Sequence, residues 1–400
     1  MCSVVFKLAM LNFLRWNWLR LMLLWLPLAG FADADGQSAV GDNYLPSRHQ
    51  WQSQPPAQLG FDAQRLQQAV AAVQAMAVTE PRDIEQMLTD RYVGVEPGYQ
   101  ILGPTTPREA SSGMIIRHGY IAAQWGDVDR VDMTFSAVKS YLSTLAGLAV
   151  HEGLIASLQQ PVAELVRDGK FASEHNAPIT WQHLLQQTSD WQGTLWDTPD
   201  WADRPVGETL EQQRNRELHA PGSFFKYNDV RVNLLAYALL QVWREPLPVV
   251  LRERVMDPIG ASPTWRWHGY HNSWIELDGQ KMQSVSGGGH FGGGLFISAR
   301  DHARYGLLFL RDGVWAGQQV LPPGWTDAVR SASEAKPDYG YMWWLNTGQQ
   351  AIPAAPASAY YAAGAGGNYI YVDETHDLVV VLRWIPSFAE AMAEILAALR

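Results

Sequence analysis

T-F-S-A-V-K-S-Y-L-S-T-L-A-G-L-A-V-H-E-G occupies residues 134–153. Val138, Leu142, Leu145, Leu148 and Ala149 recur at steps of three and four, which predicts an apolar-faced helix, and Gly153 closes it just past the C-cap. Ser136 and Lys139 stand three residues apart at its head, and positions i and i+3 share one helix face. There the lysine nitrogen meets the serine hydroxyl, and a lysine that has lost its proton is a base for that serine. The backbone N–H of Ser136 also lies at the positive end of the helix dipole, where a developing oxyanion is stabilised. The pattern reads as the nucleophile of an acyl-transfer enzyme.

Ser-x-x-Lys is a short pattern, and the chain carries it at Ser136/Lys139, Ser223/Lys226 and Ser333/Lys336. Ser223 and Lys226 follow the turn signal Pro221-Gly222. Ser333-Glu-Ala-Lys336 is stopped by Pro337 and reads as a solvated loop. Only Ser136 opens a long apolar helix.

Outward from that helix, Gly113 to Asp127 reads as a hairpin turning at His118-Gly119. Asn368–Val372 and Leu378–Trp384 are two further strand-like runs, and Phe388–Leu399 is an apolar helix. On the N-terminal side, Leu59–Val78 shows Leu66, Val70 and Val73 at helical spacing behind a candidate N-cap, Asp62. Residues 79–111, with four prolines, read as a long connection. From 154 to about 285 the chain reads as mostly helical, with short helices at Ile179–Leu185, Val232–Trp243 and Val249–Met256. Trp-rich loops at 191–201 and 265–274 join them. Leu295–Leu310 reads as one more helix. The fold class is α/β in the α+β sense: an antiparallel sheet from 113–126 and 368–384, flanked by the N- and C-terminal helices, with a helical insertion to one side. The expected division is a signal peptide at 1–32, an irregular lead-in at 33–58, a sheet-containing domain from 59–129 and 291–400, and a helical domain at 130–290.

The first residues follow signal-peptide grammar. Lys7, Arg15 and Arg20 precede the apolar run Leu21–Leu28, and small residues place cleavage after Ala32 or Ala34. The uncharged run Leu21–Ala32 is too short to span a bilayer, so no stable membrane span is expected after cleavage, and the expected location is the periplasm or the exterior. Cys2, the only cysteine, leaves with that segment. Thiol catalysis, disulfides and cysteine metal sites are thereby excluded from the processed chain. Loss of three cations takes the formal charge from −10 to −13, which leaves no basic patch for nucleic acid. His268 and His271 match no metal-ligand pattern, and no metal or cofactor is expected.

Several stretches, in order from about 113 to 385, resemble the serine β-lactamases and penicillin-binding proteins. They are similar in particular to the branch of class C β-lactamases, EstB-type esterases and 6-aminohexanoate-dimer hydrolases. The stretches are the hairpin, T-F-S-A-V-K-S with G-L-A-V-H-E-G-L, I-T-W-Q-H-L-L-Q-Q-T-S-D, P-G-S-F-F-K-Y-N-D, G-G-G-L-F-I-S-A-R-D-H-A-R-Y-G-L-L-F-L and the late glycine-rich strand entry. The resemblance implies a β-lactamase/transpeptidase-like fold, Ser136 as nucleophile, and Lys139 with Tyr227 as proton relay.

The branch's second motif is Tyr-x-Asn, here Tyr227-Asn228-Asp229. An acid at Asp229 either pairs with Lys139 and holds it protonated, moving base work to Tyr227, or meets a cationic or amide-bearing substrate. Ser189-Asp190-Trp191 is a rival second motif, ranked below Tyr227. No K-T-G or H-T-G precedes the late strand. Ala363-Gly364-Ala365-Gly366-Gly367 stands there, and Gly366 and Gly367 are the expected backbone donors completing the oxyanion hole. Without that lysine, an ester or amide lacking a carboxylate fits better than a lactam antibiotic. Ser286–Gly294 (S-G-G-G-H-F-G-G-G) reads as a tight passage beside the cleft, with His290 a candidate to face it. The expected activity is that of an exported serine hydrolase on a small ester or amide, in an aromatic cleft fed by the Trp loops. The alternatives are a β-lactamase or D,D-peptidase, and a binding or sensor protein that keeps the fold. The oligomeric state is not legible.

Overall fold

The computed structural model describes residues 44–76 and 78–400. The expected signal peptide and residues 33–43 of the lead-in lie outside the described residues. In chain order, α1 (Ala63–Ala75) and α2 (Ile84–Tyr92) precede the hairpin β1 (Ser112–Arg117) and β2 (Tyr120–Trp125). β3 (Asp132–Met133) and a 3-10 turn at Phe135–Ala137 lead into α3 (Val138–His151). α4 (Trp181–Leu185), the small hairpin β4 (Thr194–Leu195) and β5 (Thr198–Pro199), α5 (Leu210–Arg214), α6 (Asp229–Trp243) and α7 (Leu247–Leu251) follow. β6 (Arg266–Leu277), β7 (Gln280–Val285) and β8 (Gly294–Ile297) come next, then α8 (Ala299–Leu310). The chain continues with β9 (Val314–Trp315), β10 (Gln318–Gln319), α9 (Trp325–Ala328) and β11 (Trp344–Leu345). It ends with β12 (Tyr360–Gly364), β13 (Asn368–Asp373), β14 (Leu378–Arg383) and α10 (Phe388–Leu396).

The hairpin and the late strands join one six-stranded antiparallel sheet, ordered β11-β12-β13-β14-β1-β2. Its two faces follow the period of two. Ile115, Val380 and Leu382 point to one side, with Leu66 and Val73 of α1 and Met392 and Ile395 of α10. Met114, Ile116, Val379 and Val381 point to the other, into the larger core that holds α3, α6 and α8. Beside β2 the lead-in chain is held closely: Ile121 N–H donates to Gln52 O at 3.0 Å and Gln54 N–H to Ile121 O at 3.2 Å. Tyr44 stacks on Tyr120 at 4.2 Å.

Four readings of the chain change. The first helix is shorter than expected, starting at Ala63 behind Asp62, whose carboxylate caps Arg65 N–H. The long connection 79–111 contains α2, capped by Asp83. The Trp-rich segment 265–274 is a strand, and with β7, β8 and β3 it forms a four-stranded sheet. Its buried Trp267 and Tyr270 are β-favouring aromatics, and Gly269 passes too close to Ser284 O for a side chain. Finally, the expected helix at Leu295 begins only at Ala299: Gly294–Ile297 is strand, and the Ser298 hydroxyl caps Asp301 N–H.

Candidate active site

The turn that bears Ser136 is fixed from below. β3 pairs with β8, and Thr134 N–H donates to Leu295 O at 2.9 Å. Phe135 then takes φ of +47°, a left-handed conformation that costs a residue with a side chain about 1 kcal/mol or more. Its ring is buried edge-on to Trp384. This reversal leaves Ser136 partly exposed at the head of α3, while Lys139, one turn on, is 1% exposed. Lys139 Nζ donates to Ser136 Oγ at 2.7 Å and to Asp229 Oδ1 at 2.6 Å.

Asp229 comes from the first turn of α6, behind the N-cap Asn228, and is itself 1% exposed. Burial works against charge on both partners, but their attraction outweighs it. Lys139 is held above its ordinary range by Asp229 and Tyr227, and Asp229 far below the usual carboxylate range by Lys139, Arg204 and His290. The pair is therefore an ammonium and a carboxylate. Of the two roles open to Asp229, the structure places it on Lys139. The glycine run has its reason here: a Cβ on Gly288 would lie 1.6 Å from Asp229 Oδ1 and 2.5 Å from Lys139 Nζ.

Ser136 opens into a cleft of about 450 Å³, the size of a small-molecule site. Its aromatic wall is Tyr227, Trp344, Tyr361, Tyr369 and Phe388. Tyr369 and Phe388 stack at 4.0 Å, and Tyr227 stacks on Trp344 at 5.9 Å. Lys139 Nζ lies 4.7 Å, and the Arg204 guanidinium carbon 5.2 Å, from the Tyr227 ring centre. The two Trp loops do not feed this cleft. Trp191 is buried, and Trp196 lines a separate cavity of about 140 Å³ with His271 and Asn272.

Arg204, with Asp203 and Glu96 that help hold it, carried no sequence motif. Its Nη1 donates to Asp229 Oδ2 at 2.9 Å and also bonds Asp203. Asp203 in turn accepts from the Asp229 N–H. His290 is not among the residues lining the aromatic cleft but lines a narrow space that reaches Ser136; it is buried, with Nε2 2.7 Å from Glu96 Oε2 and Nδ1 3.4 Å from Arg204 Nη2. The distances fit an Nε2–H donor and an Nδ1 acceptor. Glu96, Asp203 and His290 also bring one ligand atom each within 4.8 Å of one another, the spacing of a metal site. All three are engaged with one another or with Arg204 and Asp229 N–H, as a hydrogen-bonded cluster. α2 adds Met87, Leu88, Arg91 and Tyr92 to a narrow space reaching Ser136. One signal for α2 was present: Asp83 stands before Ile84, Met87 and Leu88, an N-cap ahead of helical spacing.

The Beta-lactamase family model matches residues 127–384, which include Ser136, Lys139, Tyr227 and Asp229. The chain belongs to the beta-lactamase family. The 6-aminohexanoate-dimer hydrolase of Paenarthrobacter ureafaciens is 24% identical over 293 residues, covering 66% of this chain and 68% of that protein. Among solved structures, EstCE1, a hydrolase with promiscuous acyltransferase activity, superposes with a TM-score of 0.56 at 18% identity, over 84% of this chain and 98% of its own. A penicillin-binding protein homologue from Caulobacter crescentus gives 0.54 at 15%, over 84% and 98%. The fold is thus that of β-lactamase-like serine hydrolases, as the ordered motifs implied.

In this member of the beta-lactamase family the glycine-rich stretch meets the Ser136 turn two residues earlier than expected. Gly366 and Gly367 form the turn from β12 to β13 and pack against Trp384 and Ile385. Gly364 and Ala365 line the cleft with Ser136. A Cβ on Gly364 would lie 2.0 Å from Thr134 O and 3.2 Å from Ala137 N, so β12 can meet the turn bearing Ser136 only at a glycine. The rival motif at Ser189-Asp190 is elsewhere: Asp190 is buried against Arg216 and Arg231. Ser223 Oγ donates to Ala220 O, and Lys226 Nζ to Arg204 O.

Proposed function

We propose that the protein is an exported serine hydrolase that opens a small ester or amide through an acyl-enzyme on Ser136. The observation that carries this reading is the 2.7 Å hydrogen bond from a buried, charged Lys139 to Ser136 Oγ at the floor of an aromatic cleft. Ser136 Oγ attacks the carbonyl carbon. Lys139, held as an ammonium by Asp229, does not take the proton; Tyr227 accepts it as its own phenolic proton passes to the leaving group. Charge passing through Tyr227 is met by Lys139 and Arg204 beside its ring. The N–H groups of Ser136 and Ala365 hold the oxyanion, and water then cleaves the acyl–Ser136 ester.

The test is intact-mass measurement after a fluorophosphonate probe, followed by p-nitrophenyl esters, the matching anilides and a chromogenic cephalosporin. Added mass on Ser136, absent in Ser136→Ala, with turnover of esters or anilides, is the expected result. Folded protein that neither labels nor turns over any substrate sinks the reading. Turnover of the cephalosporin alone replaces it with a β-lactamase. Export rests on the basic-then-apolar grammar of residues 1–32, and a mature N-terminus after Ala32 or Ala34 in a periplasmic fraction is the result that supports it.

A further inference from the structure

Arg204 is clamped along its whole length. Its backbone is left-handed at φ +50°, its N–H donates to Glu96 Oε1 at 3.1 Å, and its carbonyl accepts from Lys226 Nζ at 2.8 Å. At the guanidinium, both Nη1 hydrogens are taken by Asp203 and Asp229, and one Nη2 hydrogen by His290 Nδ1. Among the described residues nothing accepts from Nε–H or from the second Nη2 hydrogen. Those two donors form one edge of the planar fork, the edge that matches the two oxygens of a carboxylate. The side chain is 35% exposed, and it lines the cleft with Ser136. The carboxylates around it do not share that exposure: Asp203 and Asp229 are buried, with their oxygens turned onto Arg204, Lys139 and backbone. Arg204 is the one charged side chain among the described residues lining this cleft, so the charge a ligand meets there is positive. Arg91 lines the neighbouring narrow space and is paired with Glu80.

We propose that Arg204 is the substrate-binding cation of this enzyme, and that the preferred substrate carries a carboxylate that reaches this fork when its carbonyl carbon lies at Ser136 Oγ. This rests on the serine-hydrolase reading above and revises one expectation. The missing lysine of the third motif had argued against a carboxylate-bearing substrate, yet a guanidinium from a different loop faces the same nucleophile. Because the fork is fixed before a ligand arrives, little ordering cost is added on binding.

The experiment compares mono-p-nitrophenyl esters of four-, five- and six-carbon diacids, and acetyl esters of hydroxy acids of the same lengths, with analogues whose free carboxyl is replaced by a carboxamide. At least one acid is expected to exceed its carboxamide partner in kcat/KM by about 10- to 100-fold, the range for hydrogen bonds to a charged group. Arg204→Gln is expected to bring that ratio close to one, with Arg204→Lys between. The ratio is taken within each variant, so a general loss from disturbing Asp229 cancels. The rate of fluorophosphonate labelling reports the state of Ser136 separately. Labelling with no preference for any acid in the unmodified enzyme overturns the carboxylate assignment alone, as does an acid preference that survives in Arg204→Gln. Failure to label or turn over any substrate overturns the serine-hydrolase reading, and this inference with it.

Discussion

Lys139 and Asp229 show how one residue changes the chemistry of a shared motif. An asparagine at 229 would leave Lys139 buried without a counter-charge, and burial would push its pKa down. With aspartate, the folded pKa of Lys139 lies above its ordinary 10.5, so its contribution is present below that pH and is lost as pH rises through the folded value. Asp229 lies below its ordinary 3.8, so its contribution is present above that pH and is lost in acid. The pair is intact across the neutral range. Asp229→Asn is expected to cost about 3–5 kcal/mol at pH 7, the usual penalty for stranding a buried charge. Lys139 then folds best without its proton, so the deficit shrinks as pH rises toward 10. Urea unfolding of both proteins at several pH values measures this; a deficit that does not change with pH counts against loss of the Lys139 proton in the folded variant.

At the scale of elements, the site depends on two close approaches that only glycine permits. Gly364 brings β12 onto the turn bearing Ser136, and Gly288 lets the backbone pass the ion pair. Gly364→Ala is expected to move the strand off the turn. Displacements near 1 Å cost up to about 100-fold in rate, whereas overpacking costs only about 1–3 kcal/mol of stability. The expected result is a fall in kcat/KM of tenfold or more in a protein that still melts cooperatively, checked by ester kinetics and thermal denaturation. α3 was legible because its period is long and uninterrupted, and the β1–β2 hairpin because two apolar runs flank the His118-Gly119 turn. β6 was not, because tryptophan, histidine and glycine mix in it, and its alternation shows only against the neighbours that bury Trp267 and Tyr270. Arg204 and Glu96 were invisible for another reason. Glu96 comes from the segment after α2 and Arg204 from the loop before α5, and folding alone brings them together. In the late glycine-rich stretch, spacing could not say which of three glycines meets the turn bearing Ser136; contact with Thr134 O does.

Across the molecule, one sheet carries two cores, and each face needs its cover. α10 buries Met392 and Ile395 against Ile115 and Val380, far from Ser136 in the chain. Met392→Ala is expected to cost about 2–5 kcal/mol in urea unfolding while leaving KM for an ester unchanged, a split that separates support from chemistry. The lead-in at residues 44–54 also proves more than a connection. A six-stranded open sheet ends in two strands with unpaired N–H and C=O groups, a template for addition of strands from other molecules. At one end β11 is only two residues long. At the other, the bonds from Gln52 and Gln54 to Ile121, and the stacking of Tyr44 on Tyr120, occupy β2 before another chain can. Gln54→Pro removes one of those donors. It is expected to increase light scattering at high protein concentration at unchanged ester turnover, so this unassuming segment is a guard against self-association.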